Sequence, residues 1–179
     1  MAEEEIGLSY ADVPKDIHGN LEFREWVTAQ CKEPAFLSAI KRLCKDSLLF
    51  WVNTFGWTYD PRLVEKGLDP VTPWVTWDFQ DEGFQVLEEC LGRKDLCVVK
   101  SRCMGWTWMP LAVITHRWQW YQSMAFGVVS REERMVDGHP RSLFVKIDFL
   151  LEHQPKFLLP NYVHFHMRFM NNDRKGTIE

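Results

Sequence analysis

Apolar residues recur at helical spacing in four parts of the chain, with capping and terminating residues at their ends. In the first of these parts, after Pro34, the apolar residues Phe36, Ile40, Leu43 and Phe50 would lie on one side of a helix. The predicted helices run from Pro34 to about Thr54, from a cap at Asp78 to just before Gly92, from about Trp106 to Tyr121, and from Ser142 toward Pro155 and Pro160. Residues 1–32 are polar and are predicted to form an N-terminal extension that is irregular or helical, and 56–73 a loop region.

Short apolar runs between these helices predict strands. They are Leu96–Val99 and Met124–Val129, followed by Tyr162–Phe169, which alternates apolar and polar residues, and by Thr177–Ile178. Strands that alternate with helices predict an α/β domain with a mainly parallel sheet over residues 33–179. Its ligand site is expected at the carboxyl ends of the strands, where a basic loop follows Val99.

That loop, residues 100–107, leads from the predicted strand into a predicted helix and predicts a phosphate site. Helix N-termini and loop amides bind anions, and nearby cations neutralise them. Against the pattern G-x-x-x-x-G-K-[ST], Gly105 and Thr107 match, whereas Lys100 replaces the first glycine and Trp106 the lysine. Positive charge therefore moves to Lys100 and Arg102. The alternative is an ordinary turn with a solvated lysine and arginine.

Composition limits the classes of function. A net charge of -4 argues against a generally basic nucleic-acid binder, and the 179 residues suffice for one domain with a core. The acidic start and the lack of a long apolar run predict a soluble cytoplasmic protein. The five cysteines form no C-x-x-C pair, which argues against a zinc site or a disulfide framework. Core positions are expected for Cys44, Cys90 and Cys97.

Several segments, in order, resemble the large terminase subunit of tailed bacteriophages, over roughly residues 30 to 179. They are TPWVTWDFQDEGFQVLEECLGRKDLCVVKSRCMGWTW, GVVSREE, SLFVKIDFLLEHQPKFLLP and NNDRKGTIE. The resemblance implies part of that family's N-terminal ATPase domain, with an incomplete, P-loop NTPase-like sheet. It implies binding of ATP and Mg²⁺ in a motor that pumps double-stranded DNA into the prohead. Expected partners are the small terminase subunit and the portal, in the host cytoplasm and transiently at the prohead.

The resemblance also implies roles for matching residues. Gln80 would recognise adenine, because its amide both donates and accepts, or else it is an ordinary helix-surface glutamine. The phosphates would meet Lys100 and Arg102, and Thr107 would bind Mg²⁺. The remaining loop residues would cradle the nucleotide: Ser101, Cys103, Met104, Gly105 and Trp106.

Some positions depart from the family pattern. Trp106 is bulky, so it either crowds the phosphates or packs behind the loop, and Pro110 perturbs the helix that follows. The acidic residues that support Mg²⁺ and position water, on a later strand of the family, have no counterpart here. We therefore expect an N-terminal piece, either a fragment or a truncated prophage product, that hydrolyses ATP poorly alone.

Two other functions stay open. The chain could be a non-catalytic interaction module for terminase or portal subunits, through Trp51, Trp57, Trp74 and Trp77, although core packing is the more common explanation for such aromatic residues. It could also be a helicase-like, nucleotide-dependent nucleic-acid protein, which shares the loop and the glutamine. Open edges of an incomplete sheet would favour self-association or rearrangement.

Overall fold

The computed structural model describes residues 6–102 and 104–160, which are mainly helical. The helices are α1 (Ile17–Gln30), α2 (Pro34–Asp46), α3 (Leu48–Phe55), α4 (Pro61–Val64), α5 (Asp78–Cys90), α6 (Trp108–Trp120), α7 (Glu133–Val136) and α8 (Leu143–Glu152). Strands β1 (Trp57–Tyr59) and β2 (Val71–Pro73) pair antiparallel, and 3-10 turns cover Tyr10–Asp12 and Lys156–Leu158.

The predicted α/β fold with a mainly parallel, P-loop NTPase-like sheet is therefore wrong. Leu96–Val99 and Met124–Val129 are extended, but neither pairs with another strand in the described part of the chain. Val99 and Val129 are 97% and 90% exposed, so these runs are not buried strands. A short apolar run does not show whether a neighbouring backbone lies beside it, and this caused the error. The last two predicted strands, from Tyr162 onward, lie outside the described residues.

Helix α3 forms the centre of the main core, because all but one of its eight residues are buried. Phe50, Trp51 and Val52 are almost completely buried, and α1, α2, α5 and α6 surround them. Ser47 divides the predicted helix from Pro34 to Thr54 into two. Its amide bonds to Leu43 at the end of α2, and its hydroxyl accepts from the amide of Phe50 in α3.

Much of the N-terminal extension, which was predicted to be irregular or helical, forms helix α1. Asp16 caps it by accepting a hydrogen bond from the amide of Gly19 at 2.8 Å. The buried residues of the helix are Asn20, Arg24 and Val27, so two of its three inward positions are polar. Apolar periodicity could not reveal such a helix.

Arg24 lies in the core without an acidic partner in the described residues. Its guanidinium donates to Oδ1 of Asn20 at 2.5 Å and to the carbonyls of Asn53 and Gly56 at 2.7 and 2.9 Å. Burial lowers the pKa of Arg24 to about 9, so the group is charged at neutral pH. It thereby binds the last turn of α3, where carbonyl groups lack helical partners.

Two buried glutamines join α6 to the turn after α8. Nε2 of Gln119 donates to Oε1 of Gln154 at 3.0 Å, and Nε2 of Gln154 donates to Oε1 of Gln119 at 2.9 Å. Gln119 also donates to the carbonyl of Leu158 at 3.0 Å, and the indole of Trp51 donates to Gln154 at 3.2 Å. Buried polar groups are stable inside a protein when they are bonded in this way.

His116 of α6 packs against Trp51, with ring centroids 5.4 Å apart. Its Nε2 lies 2.7 Å from the carbonyl of Cys44, whereas Nδ1 has no hydrogen-bond partner among the described residues. Burial lowers the pKa of His116 to about 4, which makes the ring neutral at physiological pH.

The cysteines only partly follow the prediction that they lie in the core. Cys44 is fully buried as expected, Cys90 is half-buried, and Cys97 is exposed, which contradicts its predicted core position. None of the helices in residues 6–102 and 104–160 is long and apolar enough to cross a bilayer.

Candidate nucleotide-binding site

Gln80 lies in the first turn of α5 and contacts the loop that precedes α6. Its Oε1 accepts a hydrogen bond from the amide of Trp77 at 3.3 Å, and its Nε2 donates to the carbonyl of Met104 at 3.2 Å. The side chain is buried, with 6% exposed. Each amide atom keeps one further hydrogen-bonding position. The structure thus brings together Gln80 and Met104, which were predicted to belong to one site although they are 24 positions apart in sequence.

Gly105 provides a close approach between this loop and α5. Its φ is +71°, in the left-handed region that favours glycine. A Cβ atom at this position would lie only 2.8 Å from Nε2 of Gln80. The carbonyl of Gly105 also accepts from the amide of Trp108, at the start of α6. The conformation of this glycine therefore determines how Gln80 meets the loop.

We expect Gly105→Ala to lower the free energy of unfolding by about 2 kcal/mol, from backbone strain of about 1 kcal/mol and a similar cost for displacing Gln80. Gly92→Ala is the matched control, because Gly92 has a φ of +69° with no atom within 4 Å of a Cβ. Urea unfolding of both variants separates strain from contact. Equal losses would contradict the role of the Gln80 contact.

Trp106 packs behind the loop, which decides between its two predicted placements. The ring lies against the main core, and its Cζ3 would be 3.3 Å from a Cβ added to Gly83 of α5. The methyl group of Met109, in the first turn of α6, would lie closer still to a Cβ added to Gly83. Pro110 is the third residue of α6, where backbone amides have no partner within a helix. It therefore costs α6 no hydrogen bond.

The polar residues of the loop are at the surface. Lys100, Ser101 and Arg102 are exposed, and neither cation forms an ion pair with another described residue. Thr107 is the N-cap of α6 but makes no side-chain capping bond, so its hydroxyl is available to a ligand. Cys103 lies outside the described residues. The positive charge, the hydroxyl and the helix N-terminus are thus close in sequence, and Gln80 contacts the same loop.

A pocket of about 530 Å³ opens between the β1–β2 hairpin and the start of α5. Gln80 and Gly105 lie in its wall with aromatic residues that include Tyr59, Trp74 and Trp77. Its size lies in the range of about 300–1,000 Å³ that is typical of ligand pockets. Aromatic walls beside one amide suit a flat ring with polar edges. Lys100 and Arg102 do not line this pocket.

A polar cluster holds the start of α5 in place. Asp81 accepts hydrogen bonds from Tyr10 at 2.6 Å, from Lys15 at 2.9 Å and from Thr76 at 2.5 Å. Burial and the bond to Asp81 raise the pKa of Tyr10. Burial alone would lower the pKa of Lys15, but its bonds to Tyr10 and Asp81 outweigh burial and raise it. The N-terminal segment therefore fixes the helix turn that carries Gln80.

Sequence reasoning missed the hairpin that forms one side of the pocket. The prediction for 56–73 was a loop, because its three prolines and Gly67 suggested turns. Three-residue strands are too short for a reliable alternation, so no available signal placed Tyr59 beside Gln80. Of the two explanations for the tryptophans, core packing holds for Trp51 and Trp74, which are buried, whereas Trp77 is 58% exposed.

No protein-family model, curated protein or solved structure matches this chain. In residues 6–102 and 104–160, no three His, Cys, Asp or Glu side chains are grouped so that they could hold a metal ion.

Proposed function

We propose that this chain is the nucleotide-binding part of a phage DNA-packaging motor of the terminase large-subunit type. Such a motor couples ATP hydrolysis to movement of double-stranded DNA into the prohead. The observation that carries the proposal is the hydrogen bond from Gln80 to the carbonyl of Met104. It joins a candidate base-recognition residue to a candidate phosphate loop, beside a pocket of suitable size.

In this proposal, the base of ATP enters the aromatic pocket and uses the remaining hydrogen-bonding positions of Gln80. The phosphates then lie toward the exposed Lys100 and Arg102, and amides of the loop and of the α6 N-terminus bind them. Thr107 binds Mg²⁺, which neutralises phosphate charge. DNA, the small terminase subunit and the portal are proposed partners of the complete motor, which works in the host cytoplasm and at the prohead.

Because Gln80 bonds to the loop, occupancy of the base pocket and the position of the loop should depend on each other. A ligand that pulls on Gln80 alters its bond to Met104, and a loop that moves toward phosphate alters Gln80. Two sites that share one hydrogen-bonded side chain are coupled in free energy, and the coupling is reciprocal.

We expect the double variant Lys100→Ala, Arg102→Ala to bind a non-hydrolysable ATP analogue with Mg²⁺ at least about 100-fold more weakly. Each lost charge-assisted contact to phosphate contributes about 1.5–3 kcal/mol. Calorimetric titration of the purified chain measures the change. Arg93→Ala, Lys94→Ala is the matched control, since it removes the same charge from two exposed residues nearby in sequence.

Saturable binding by the native chain and by the control, with loss in the loop variant, supports the proposal. Equal weakening in both variants would show that net charge, and not the loop, determines affinity. No binding by the native chain would contradict the proposal.

One observation favours the alternative of a non-catalytic interaction module. Trp77 and Phe79 are 58% and 40% exposed, with ring centroids 5.4 Å apart. Exposed aromatic pairs are frequent in protein interfaces. The same purified chain can be tested for binding to terminase and portal subunits. A partner lost in Trp77→Ala, Phe79→Ala, without any nucleotide affinity in the native chain, would support this alternative.

A further inference from the structure

The N-terminal segment of residues 9–17 contacts the pocket that contains Gln80 in two ways. Ile17, the first residue of α1, lies in the pocket wall and is 53% exposed although it is apolar. Lys15 forms an ion pair at 2.9 Å with Asp81, the residue that follows Gln80 in α5. The segment therefore provides part of the wall and also contacts the helix turn that carries the candidate base-recognition residue.

Lys15 bridges this segment and the start of α5. Its ammonium group donates to Oδ2 of Asp81 at 2.9 Å, and to the hydroxyl and the carbonyl of Thr76 at 2.8 and 3.0 Å. It also contacts the hydroxyl of Tyr10. The side chain of Asp81 is only 18% exposed, so solvent screens this ion pair less than one on the open surface. One lysine thus connects three separate parts of the chain.

Asn53 of α3 anchors both sides of this bridge. Its Oδ1 accepts a hydrogen bond from the amide of Thr76 at 2.9 Å, and its carbonyl accepts one from Nδ2 of Asn20 at 3.0 Å. The same Nδ2 donates to the carbonyl of Pro14 at 3.1 Å, directly before Lys15. Asn20 and Asn53 are fully buried, and buried polar networks whose members are bonded hold one arrangement. The bridge is therefore built on the rigid core.

We propose that residues 9–17 complete the pocket: Ile17 covers a bound base, and Lys15 and Asp81 are positioning residues that hold Gln80. The inference rests on the proposed function, because the base of ATP is the ligand that the pocket would take. Neither Lys15 nor Asp81 is among the described residues that line the pocket. They act through the first turn of α5, where the amides of Gln80 and Asp81 both bond to the carbonyl of Trp77.

Lys15→Met removes the charge and the donors but keeps most of the side-chain length. We expect the amides of Gln80 and Asp81 to exchange hydrogen at least about fivefold faster in this variant, read by NMR. Affinity for the non-hydrolysable ATP analogue, read by calorimetry, should fall at least about fivefold. Lys15→Arg keeps the cation and should restore both. Lys32→Met, at an exposed lysine between α1 and α2, is the matched control and should change neither.

Two further substitutions separate the parts of the proposal. Asp81→Asn should accelerate exchange as Lys15→Met does, and the double variant should exchange no faster than either single variant, because both remove the same ion pair. Ile17→Ala should weaken the analogue about fivefold without altering exchange in α5, since only apolar cover of the base is lost. Val64→Ala is its control, because Val64 is 54% exposed and is not among the described residues of the pocket wall.

Amides of α3 report whether each variant is still folded, and Lys15→Gln replaces Lys15→Met if the methionine unfolds the chain. Faster exchange and weaker binding in Lys15→Met, both restored in Lys15→Arg, support the proposal. Unchanged exchange in Lys15→Met, or equal acceleration in Lys32→Met, overturns it. Native affinity in both Lys15→Met and Ile17→Ala also overturns it. If the native chain binds no analogue, the proposed function and the role of Ile17 fail together, whereas exchange alone decides whether Lys15 and Asp81 hold Gln80.

Discussion

Replacing Arg24 by methionine is expected to lower the free energy of unfolding by about 3 kcal/mol, a large part of the total of about 5–15 kcal/mol for a domain. Methionine fills similar volume but donates no hydrogen bond. The carbonyls of Asn53 and Gly56 keep one donor each, from Asn20 and Trp74. The cost therefore comes from the loss of three charge-assisted bonds and from Oδ1 of Asn20, which loses its donor from Arg24.

Arg62→Met is the matched control for this substitution. Arg62 bonds to Asp60 at 2.6 Å, but its side chain is 66% exposed. Exposed ion pairs contribute about 0–1 kcal/mol, so this variant should be nearly as stable as the native chain. Urea unfolding followed by circular dichroism measures both. If the two variants lost equal stability, the buried hydrogen bonds of Arg24 would not be the source of its contribution.

The second large effect is expected in acid and involves His116. Burial lowers its pKa from 6.5 to about 4, because the charged ring is unfavourable beside Trp51 and Arg117 adds repulsion. Between these two values the unfolded chain binds more protons at this position than the folded chain. The contribution of the neutral ring is therefore complete above about pH 6.5 and is lost as the pH falls toward 4. The difference between the two pKa values corresponds to about 3 kcal/mol of unfolding free energy, at 1.36 kcal/mol per pKa unit.

His116→Gln should remove this part of the acid sensitivity, since glutamine does not titrate and can still donate to the carbonyl of Cys44. His18→Gln is the control, because His18 is on the surface with 87% of its side chain exposed. Unfolding free energies of the three proteins at pH 7, 5.5 and 4 give the comparison. If the unfolding free energy of His116→Gln fell with pH as steeply as that of the native chain, other groups would cause the acid sensitivity.

Helices with apolar inner sides could be predicted from the sequence, whereas helices with polar inner sides could not. α5 and α8 lie where the pattern placed them, and Gly92 follows α5 with the positive φ that ends a helix. The N-cap of α8 is Ser142, where the helix was predicted to begin, whereas the N-cap of α5 is Trp77 and not the predicted Asp78. The bounds of α1 could not be predicted, because Asn20 and Arg24 face the core. The break at Ser47 was missed because serine also occurs within helices. Strand pairing failed because it depends on residues distant in sequence.

The structure brings Gln80 against the loop with which the sequence analysis had grouped it, whereas binding of phosphate by that loop stays a prediction. The shape of the candidate site was not predictable. The contact of Gln80 with Met104 depends on how α5 and α6 pack, and that packing depends on Gly83 and Gly105. A glycine in a sequence does not show which neighbour approaches it. The side of the pocket formed by β1 and β2 depends on a hairpin that closes over a loop of eleven residues, 60–70.

Helix α6 begins at the candidate loop and ends among buried residues of the core. Its 13 residues give a length of about 20 Å at 1.5 Å per residue. Gln119, near the far end, is held by Gln154 and by the carbonyl of Leu158. Because Gln119 of α6 is bonded to the carbonyl of Leu158, a shift of α6 along its axis would also displace the turn at Lys156–Leu158.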